Sequence, residues 1–294
     1  MISKKHALAF LVALCVIPYL AAQQPPPQPE KTFMWRAQHG ETTVYLLGSI
    51  HALKDDAYPL PEVIEQSFAK VQVVAFEIDL DDMISAAVKM MAAGTLEGEQ
   101  NLEELVGPEM WSEVSDRLRT AGLEPAGFQR MKPWMVALTL TAFELQRAGY
   151  TEGAGLDSYF TRRAKATGKE RIALETVEFQ VGLFAELTAA QSEAFLSYTL
   201  TDLDTVIPFL DELSVNWREG NVEPVEELLV EGFEEFPELF RKMVTDRNRS
   251  WIAMIEEMLV GDRDVMVVVG SLHLVGDEGV VALLREKGYV VEQM

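Results

Sequence analysis

Two copies of one short phrase, Leu46-Leu47-Gly48-Ser49-Ile50-His51 and Val268-Val269-Gly270-Ser271-Leu272-His273, stand 222 positions apart and hold two of the chain's 4 histidines. Each histidine follows an apolar run of strand character and a Gly-Ser step, which places it just past the end of a buried β-strand. Ligands in open α/β sheets bind at strand ends of this kind. Imidazole is a common metal ligand and the usual acid or base near neutral pH. The pair therefore suggests either a divalent metal site or acid–base chemistry. Ser49 and Ser271 lack the Gly-x-Ser-x-Gly turn that exposes a nucleophilic hydroxyl, so they read as small residues packed at strand ends.

The first 22 residues read as a secretory signal peptide, 1–22. Lys4 and Lys5 precede an apolar stretch from Ala7 to Leu20 that is short for a membrane span, and Leu20-Ala21-Ala22 offers a small-residue cleavage site. The expected destination is the periplasm or the exterior. The single cysteine, Cys15, lies inside this segment. The mature chain then has no disulfide, no thiolate ligand and no cysteine nucleophile, which leaves nitrogen and oxygen donors for any metal. A proline-rich spacer, 23–31, follows. Residues 32–294 read as one globular unit with no further stretch apolar enough for stable membrane insertion.

The formal net charge is −22, more negative still once Lys4 and Lys5 are removed. Such a surface repels nucleic acid and anionic lipid. The acidic clusters Glu97 to Glu113 and Glu219 to Glu238 fall among helical patterns and read as solvated faces.

The pattern predicts an α/β fold: a mixed central sheet built from the N- and C-terminal parts, with a large helical insertion at about 82–260. Phe33 to Gln38 and Thr42 to Leu47 form a hairpin about His39-Gly40. A helix over Glu62 to Ala69 leads to a buried strand, Val71 to Ile78, whose end carries Glu77. A right-handed crossover would put His51 and Glu77 on the same sheet edge. A short strand, Arg171 to Leu174, ends in Glu175. The last β-α-β passage comprises Val265 to Val269, a helix over Gly279 to Lys287, and a strand from Tyr289 to Glu292. Met83, Met90, Met91, Met110, Met131 and Met135 lie at helical spacing and read as core.

The two Gly-x-x-His motifs, Phe76-Glu77-Ile78-Asp79, Gly155-Leu156-Asp157, Leu174-Glu175-Thr176, Asp246-Arg247-Asn248 and the segment Gly270 to Gly279 occur in this order. Together they resemble the TraB/GumN family, which includes the Tiki metalloproteases and is distantly similar to erythromycin esterase and ChaN-like proteins. The resemblance covers most of residues 33 to 294. It implies an α/β fold with a helical insertion and, from the Tiki members, metal-dependent proteolysis of secreted substrates. Many bacterial members have no established activity. By position it implies that His51 and His273 are the paired histidines, Glu77 and Glu175 the acidic residues, and Arg247 the basic one.

Chemically, a catalytic divalent ion takes about three histidine or carboxylate ligands and leaves one position open. His51, His273 and Glu77 could supply them, for manganese, cobalt, zinc or iron alike. Glu175 is then the candidate general base and Arg247 the candidate stabiliser of an oxyanion or holder of a substrate carboxylate. The roles of Glu77 and Glu175 are interchangeable at this level. Structural readings stand beside these: Glu77 could cap the next helix, Glu175 could pair with Arg171 or another cation, and Arg247 could bridge acids on neighbouring helical turns. The leading expectation is a metal-dependent hydrolase, a peptidase acting on exported peptides or proteins. A non-catalytic protein holding a metal, haem or peptide in the same cleft is the second, and an acidic helical scaffold the third. The oligomeric state is not written in these motifs.

Overall fold

Six short runs of apolar, largely β-branched residues pair into one sheet. The strands are β1 (Met34–His39), β2 (Thr42–Ser49), β3 (Val73–Phe76), β4 (Glu170–Ala173), β5 (Val265–Gly270) and β6 (Val291–Gln293). The spatial order is β4-β3-β5-β2-β1-β6. β4, β3, β5 and β2 run parallel, and only β1 opposes them, pairing antiparallel with β2 and β6. The computed structural model describes residues 29–231, 233 and 236–294. The signal peptide, 1–22, and all but the end of the proline-rich spacer lie outside the described residues.

Every residue of β2, β3 and β5 is buried. A parallel sheet covered on both faces requires such unbroken apolar runs, in contrast to the alternation of a half-exposed strand. β4 is one of the two edge strands and keeps Glu170 and Ala173 exposed, a short and charged edge that discourages further pairing. The sheet is mixed and draws on both ends of the chain, as expected. β5 enters from the C-terminal part and inserts between β2 and β3. Both fall on the carboxyl side of a common sheet edge, so residues just beyond Ser49, Phe76, Ala173 and Gly270 all face one side.

Helices Leu156–Thr167 and Asp246–Val260 pack on the sheet. Together with Ile64 and Phe68 of helix Glu62–Lys70 they close a core that includes Phe160, Trp251, Ile255 and Leu259. The helices between β3 and β5 are divided by β4. Three of them, Leu102–Thr120, Pro133–Arg147 and Ala189–Asp202, make a smaller core of their own around Leu118, Val136, Leu140 and Leu196. Gly107 breaks the first of these with φ of 79°, a left-handed conformation that glycine accepts without a Cβ clash, and Pro108 follows it. Of the six methionines read as core, Met135 is buried while Met91 is half exposed. Ile84, Val88 and Met91 share an outward stripe on helix Met83–Ala93, so its apolar periodicity faces water there. No described helix is long and apolar enough to cross a membrane.

Candidate functional site

Four strand ends deliver four of the expected residues to one place. His51 lies two residues beyond β2, Glu77 one beyond β3, Glu175 two beyond β4, and His273 on a single helical turn, Ser271–His273, directly after β5. The two repeated phrases are stitched together: Ser49 pairs with Gly270, and the Ser271 hydroxyl donates to the Ser49 carbonyl at 2.9 Å. These serines hold the sheet end together.

The glycines of the two motifs have different reasons to be glycine. A Cβ at Gly48 would lie 2.5 Å from the Phe33 ring and 2.9 Å from Ser271 Oγ, so close packing excludes it. A Cβ at Gly270 would lie 3.3 Å from Glu77 Oε1, 3.4 Å from His51 Nε2 and 3.6 Å from His273 Cδ2. The space over Gly270 is therefore a small cradle into which two imidazoles and one carboxylate converge.

Each imidazole is oriented from behind. His51 Nδ1 lies 2.8 Å from Asp157 Oδ2, while Asp157 Oδ1 accepts from Ser49 Oγ at 3.0 Å. His273 Nδ1 lies 2.6 Å from Asn248 Oδ1. The Asn248 amide nitrogen donates to the Glu278 carbonyl, which fixes its oxygen toward the ring. A hydrogen on Nδ1 satisfies both oxygens, a carboxylate or amide oxygen behind the ring being a common setting of metal-ligating histidines. His51 then turns Nε2 toward the cradle, where it would have to give up its proton to ligate a metal, while His273 turns Nε2 toward Arg247 Nη1.

The electrostatics separate the two rings. The Asp157 carboxylate raises the His51 pKa to about 10. Burial pushes His273 well below the usual imidazole range, so it is neutral. Burial alone would raise Glu77, but neighbouring positive charge and the Gly270 N–H hold it well below the carboxylate range. Replacing Asp157 with asparagine is expected to return the His51 titration toward its ordinary 6.5. Ring ¹⁵N shifts followed against pH check this, and a midpoint that does not fall would mean another group charges His51.

Arg247 stands at the centre, on the first turn of helix Asp246–Val260. Its Nη2 donates to Glu77 Oε2 at 2.6 Å and to Glu175 Oε2 at 2.9 Å, and its Nε donates to Glu175 Oε1 at 2.9 Å. Nη1 donates to the Met243 carbonyl at 3.0 Å and lies 3.1 Å from His273 Nε2. Gln180 Nε2 bridges Glu77 and Glu175, and Trp251 Nε1 donates to Glu175 Oε1. The local readings of Glu77 and Arg247 give way to long-range partners, while Glu175 pairs with a cation, as one structural reading had it, and that cation is Arg247. Arg247 pairs with acids 170 and 72 positions away, in place of neighbours on its own helix. Glu77 Oε1 receives the Gly270 N–H from another strand. Arg171 pairs with Asp79 and Asp81, leaving Glu175 to Arg247.

All five expected residues are thus gathered, and the sequence reading missed Asp157, Asn248, Gln180 and Trp251. Asp157 and Asn248 each stood inside a quoted motif, so a signal existed for them without a role attached. A cleft of about 200 Å³ bounded by His51, Phe76, Glu77, Ile78, Leu80 and Gln180 opens beside the network. It shares His51, Leu80 and Asp157 as walls with a wider recess of about 420 Å³. His51 forms the gate, with 66% of its side chain exposed.

Donor types and ring orientation suit a divalent ion at the cradle. As arranged, however, no group of three or more His, Cys, Asp or Glu side chains among the described residues is positioned to hold a metal ion. Arg247 stands among these groups instead, with Nη1 facing His273 Nε2 and its other nitrogens on both carboxylates.

The chain is 25% identical over 246 residues to the uncharacterized protein YbaP of Escherichia coli, covering 84% of this chain and 89% of that one. It is 22% identical to the protein named metalloprotease TIKI1 of Homo sapiens, covering 96% of this chain and 68% of that one. The TIKI1 of Danio rerio matches at 22% over 89% of this chain and 63% of its own length. No solved structure matches. The profile of the TraB/PrgY/gumN family matches residues 33–293, nearly the whole folded region, and the chain belongs to that family.

Proposed function

We propose that this protein is a metal-dependent hydrolase that cuts peptide bonds in exported peptides or proteins, with His51, His273 and Glu77 as the residues that hold a divalent ion. The observation that carries this reading is the cradle over Gly270, where His51 Nε2 and Glu77 Oε1 lie 3.4 and 3.3 Å from one point and the His273 ring 3.6 Å from it. Similarity to proteins named metalloprotease supports the reaction class. The leader-like residues 1–22 support action in the periplasm or outside the cell.

When bound, such an ion supplies Lewis-acid polarisation of the scissile carbonyl and makes water a usable nucleophile. The side chains do the rest. Asp157 and Asn248 hold the two imidazoles by Nδ1, His51 with Nε2 toward the cradle and His273 with Nε2 toward Arg247. Glu77 is the better placed ligand, since its Oε1 faces both rings, and Glu175 is the proton acceptor once an oxygen is released from Arg247 or Trp251. Arg247 is within the same network to stabilise developing negative charge. Substrate enters past His51 from the wider recess.

A second reading, a non-catalytic binder of metal, haem or peptide, is favoured by one feature: every carboxylate oxygen is already hydrogen-bonded, both of Glu175 and Oε2 of Glu77 to Arg247 and Oε1 of Glu77 to the Gly270 N–H, so the metal-free site has no free carboxylate base. Two measurements decide. Elemental analysis of purified protein should show a bound divalent metal that is lost in His51→Ala and in His273→Ala; content unchanged in both variants sinks the shared site. A peptide library incubated with manganese, cobalt or zinc should then be cleaved, and metal bound without turnover at any of these ions leaves the binder.

A further inference from the structure

The position of Arg247 carries an inference that rests on the metal-binding reading above and adds a control to it. A neutral imidazole has one lone pair, on the nitrogen that lacks hydrogen. In His273 that nitrogen is Nε2, because Nδ1 is committed to Asn248. Nε2 can accept a hydrogen bond from Arg247 Nη1, 3.1 Å away, or ligate a metal, and cannot do both. The same guanidinium is ion-paired with both Glu77 and Glu175, two buried carboxylates that it bridges.

We propose that Arg247 is a built-in competitor for the metal ion: in the metal-free chain its guanidinium supplies the positive charge and the His273 contact that an ion at the cradle would supply. Metal binding and the Arg247–His273 hydrogen bond are then mutually exclusive. The hydrogen-bond pattern offers a means of release. Arg247 follows a π-helical turn, Arg241–Thr245, and its Nη1 also donates to the Met243 carbonyl within that turn. Such turns are rare single-turn bulges within α-helices and are frequent at functional sites. Losing one hydrogen bond to His273 leaves Nη1 a carbonyl partner and leaves Nε and Nη2 on the two carboxylates. The competitor can therefore yield without the network coming apart.

The test uses zinc as the probe and reads binding and spectra, with no assay of activity. Competition with a chromophoric chelator should show Arg247→Met binding zinc at least tenfold more tightly than the unaltered protein. Zinc should also raise the melting temperature of the variant more than that of the unaltered chain. A variant that folds only when zinc is added is the extreme form of the same result. Removing a positive charge also favours a cation by simple electrostatics, so a second measurement is made on the unaltered protein. The ¹⁵N–¹⁵N coupling across the Arg247–His273 hydrogen bond should be present without zinc and vanish as the His273 Nε2 resonance takes its metal-bound shift. Persistence of that coupling at zinc saturation, or equal or weaker zinc binding by Arg247→Met, overturns the competitor while leaving metal binding intact. Absence of zinc binding in every form overturns the metal reading itself, and the competitor with it.

Discussion

Arg247→Met in the metal-free protein is expected to lose about 3–5 kcal/mol of stability, the usual cost of breaking a buried ion pair by removing one partner. Glu77 and Glu175 would then stand buried with Gln180, Trp251 and one backbone N–H as hydrogen-bond donors and with no guanidinium to balance the second of their two charges. For a chain of this size the loss lowers the melting temperature by on the order of 10 °C. Urea or thermal unfolding with chelator present measures it. Adding Glu77→Gln to the variant should recover part of the loss, because the uncompensated charge is the cause, and members of one network do not add independently. A loss below about 1 kcal/mol, a value typical of an exposed pair, would mean that the carboxylates are hydrated and the network is peripheral to the fold.

Gly155→Ala is the second substitution with a large expected effect. A Cβ at this position would lie 1.9 Å from the His51 carbonyl oxygen and 2.5 Å from its carbon, both backbone atoms that cannot rotate away. Gly155 has φ of −60°, which any residue adopts, so the effect is steric alone. The close approach arises because two loops zip together: Leu156 N–H donates to the Ile50 carbonyl at 3.1 Å, and Leu53 and Thr151 exchange backbone hydrogen bonds. Overpacking a fitted site costs about 1–3 kcal/mol and more when backbone must shift, and this variant should lie at or above the top of that range. The shift also separates His51 from Asp157, two residues beyond Gly155. Unfolding measurements and the His51 ring shifts read the two consequences together. Stability within about 0.5 kcal/mol of the parent, as for a neutral surface change, would show that the loops are not in contact as described.

What could be read before any coordinates followed from local rules. Buried parallel strands are continuous apolar runs, so β2, β3 and β5 were visible, although β3 is shorter than the run Val71 to Ile78 that announced it. A Gly-Ser step followed by histidine, occurring twice, marked strand ends as places for chemistry. β6 was displaced by two residues at its start, Val291 against the expected Tyr289, because Arg285 turns back to the Val291 carbonyl and the chain pairs with β1 only after that point. The methionine pattern of helix Met83–Ala93 misled in part because periodicity reports that a helix has an apolar face, and not what lies against it.

Sequence alone determined which residues would stand at strand ends and, through the order of its motifs, which family they resemble. Only tertiary structure decided that they meet. β5 enters between β2 and β3, and this strand order sets His273 between His51 and Glu77, a fact that no neighbour-to-neighbour pattern encodes. It also turned Arg247 away from its own helix and into the sheet edge, where its guanidinium bridges two buried carboxylates. The physical reason is one of range. Hydrophobic periodicity acts over a few residues, whereas burial of charge is settled by whichever groups the packed strands bring within hydrogen-bonding distance.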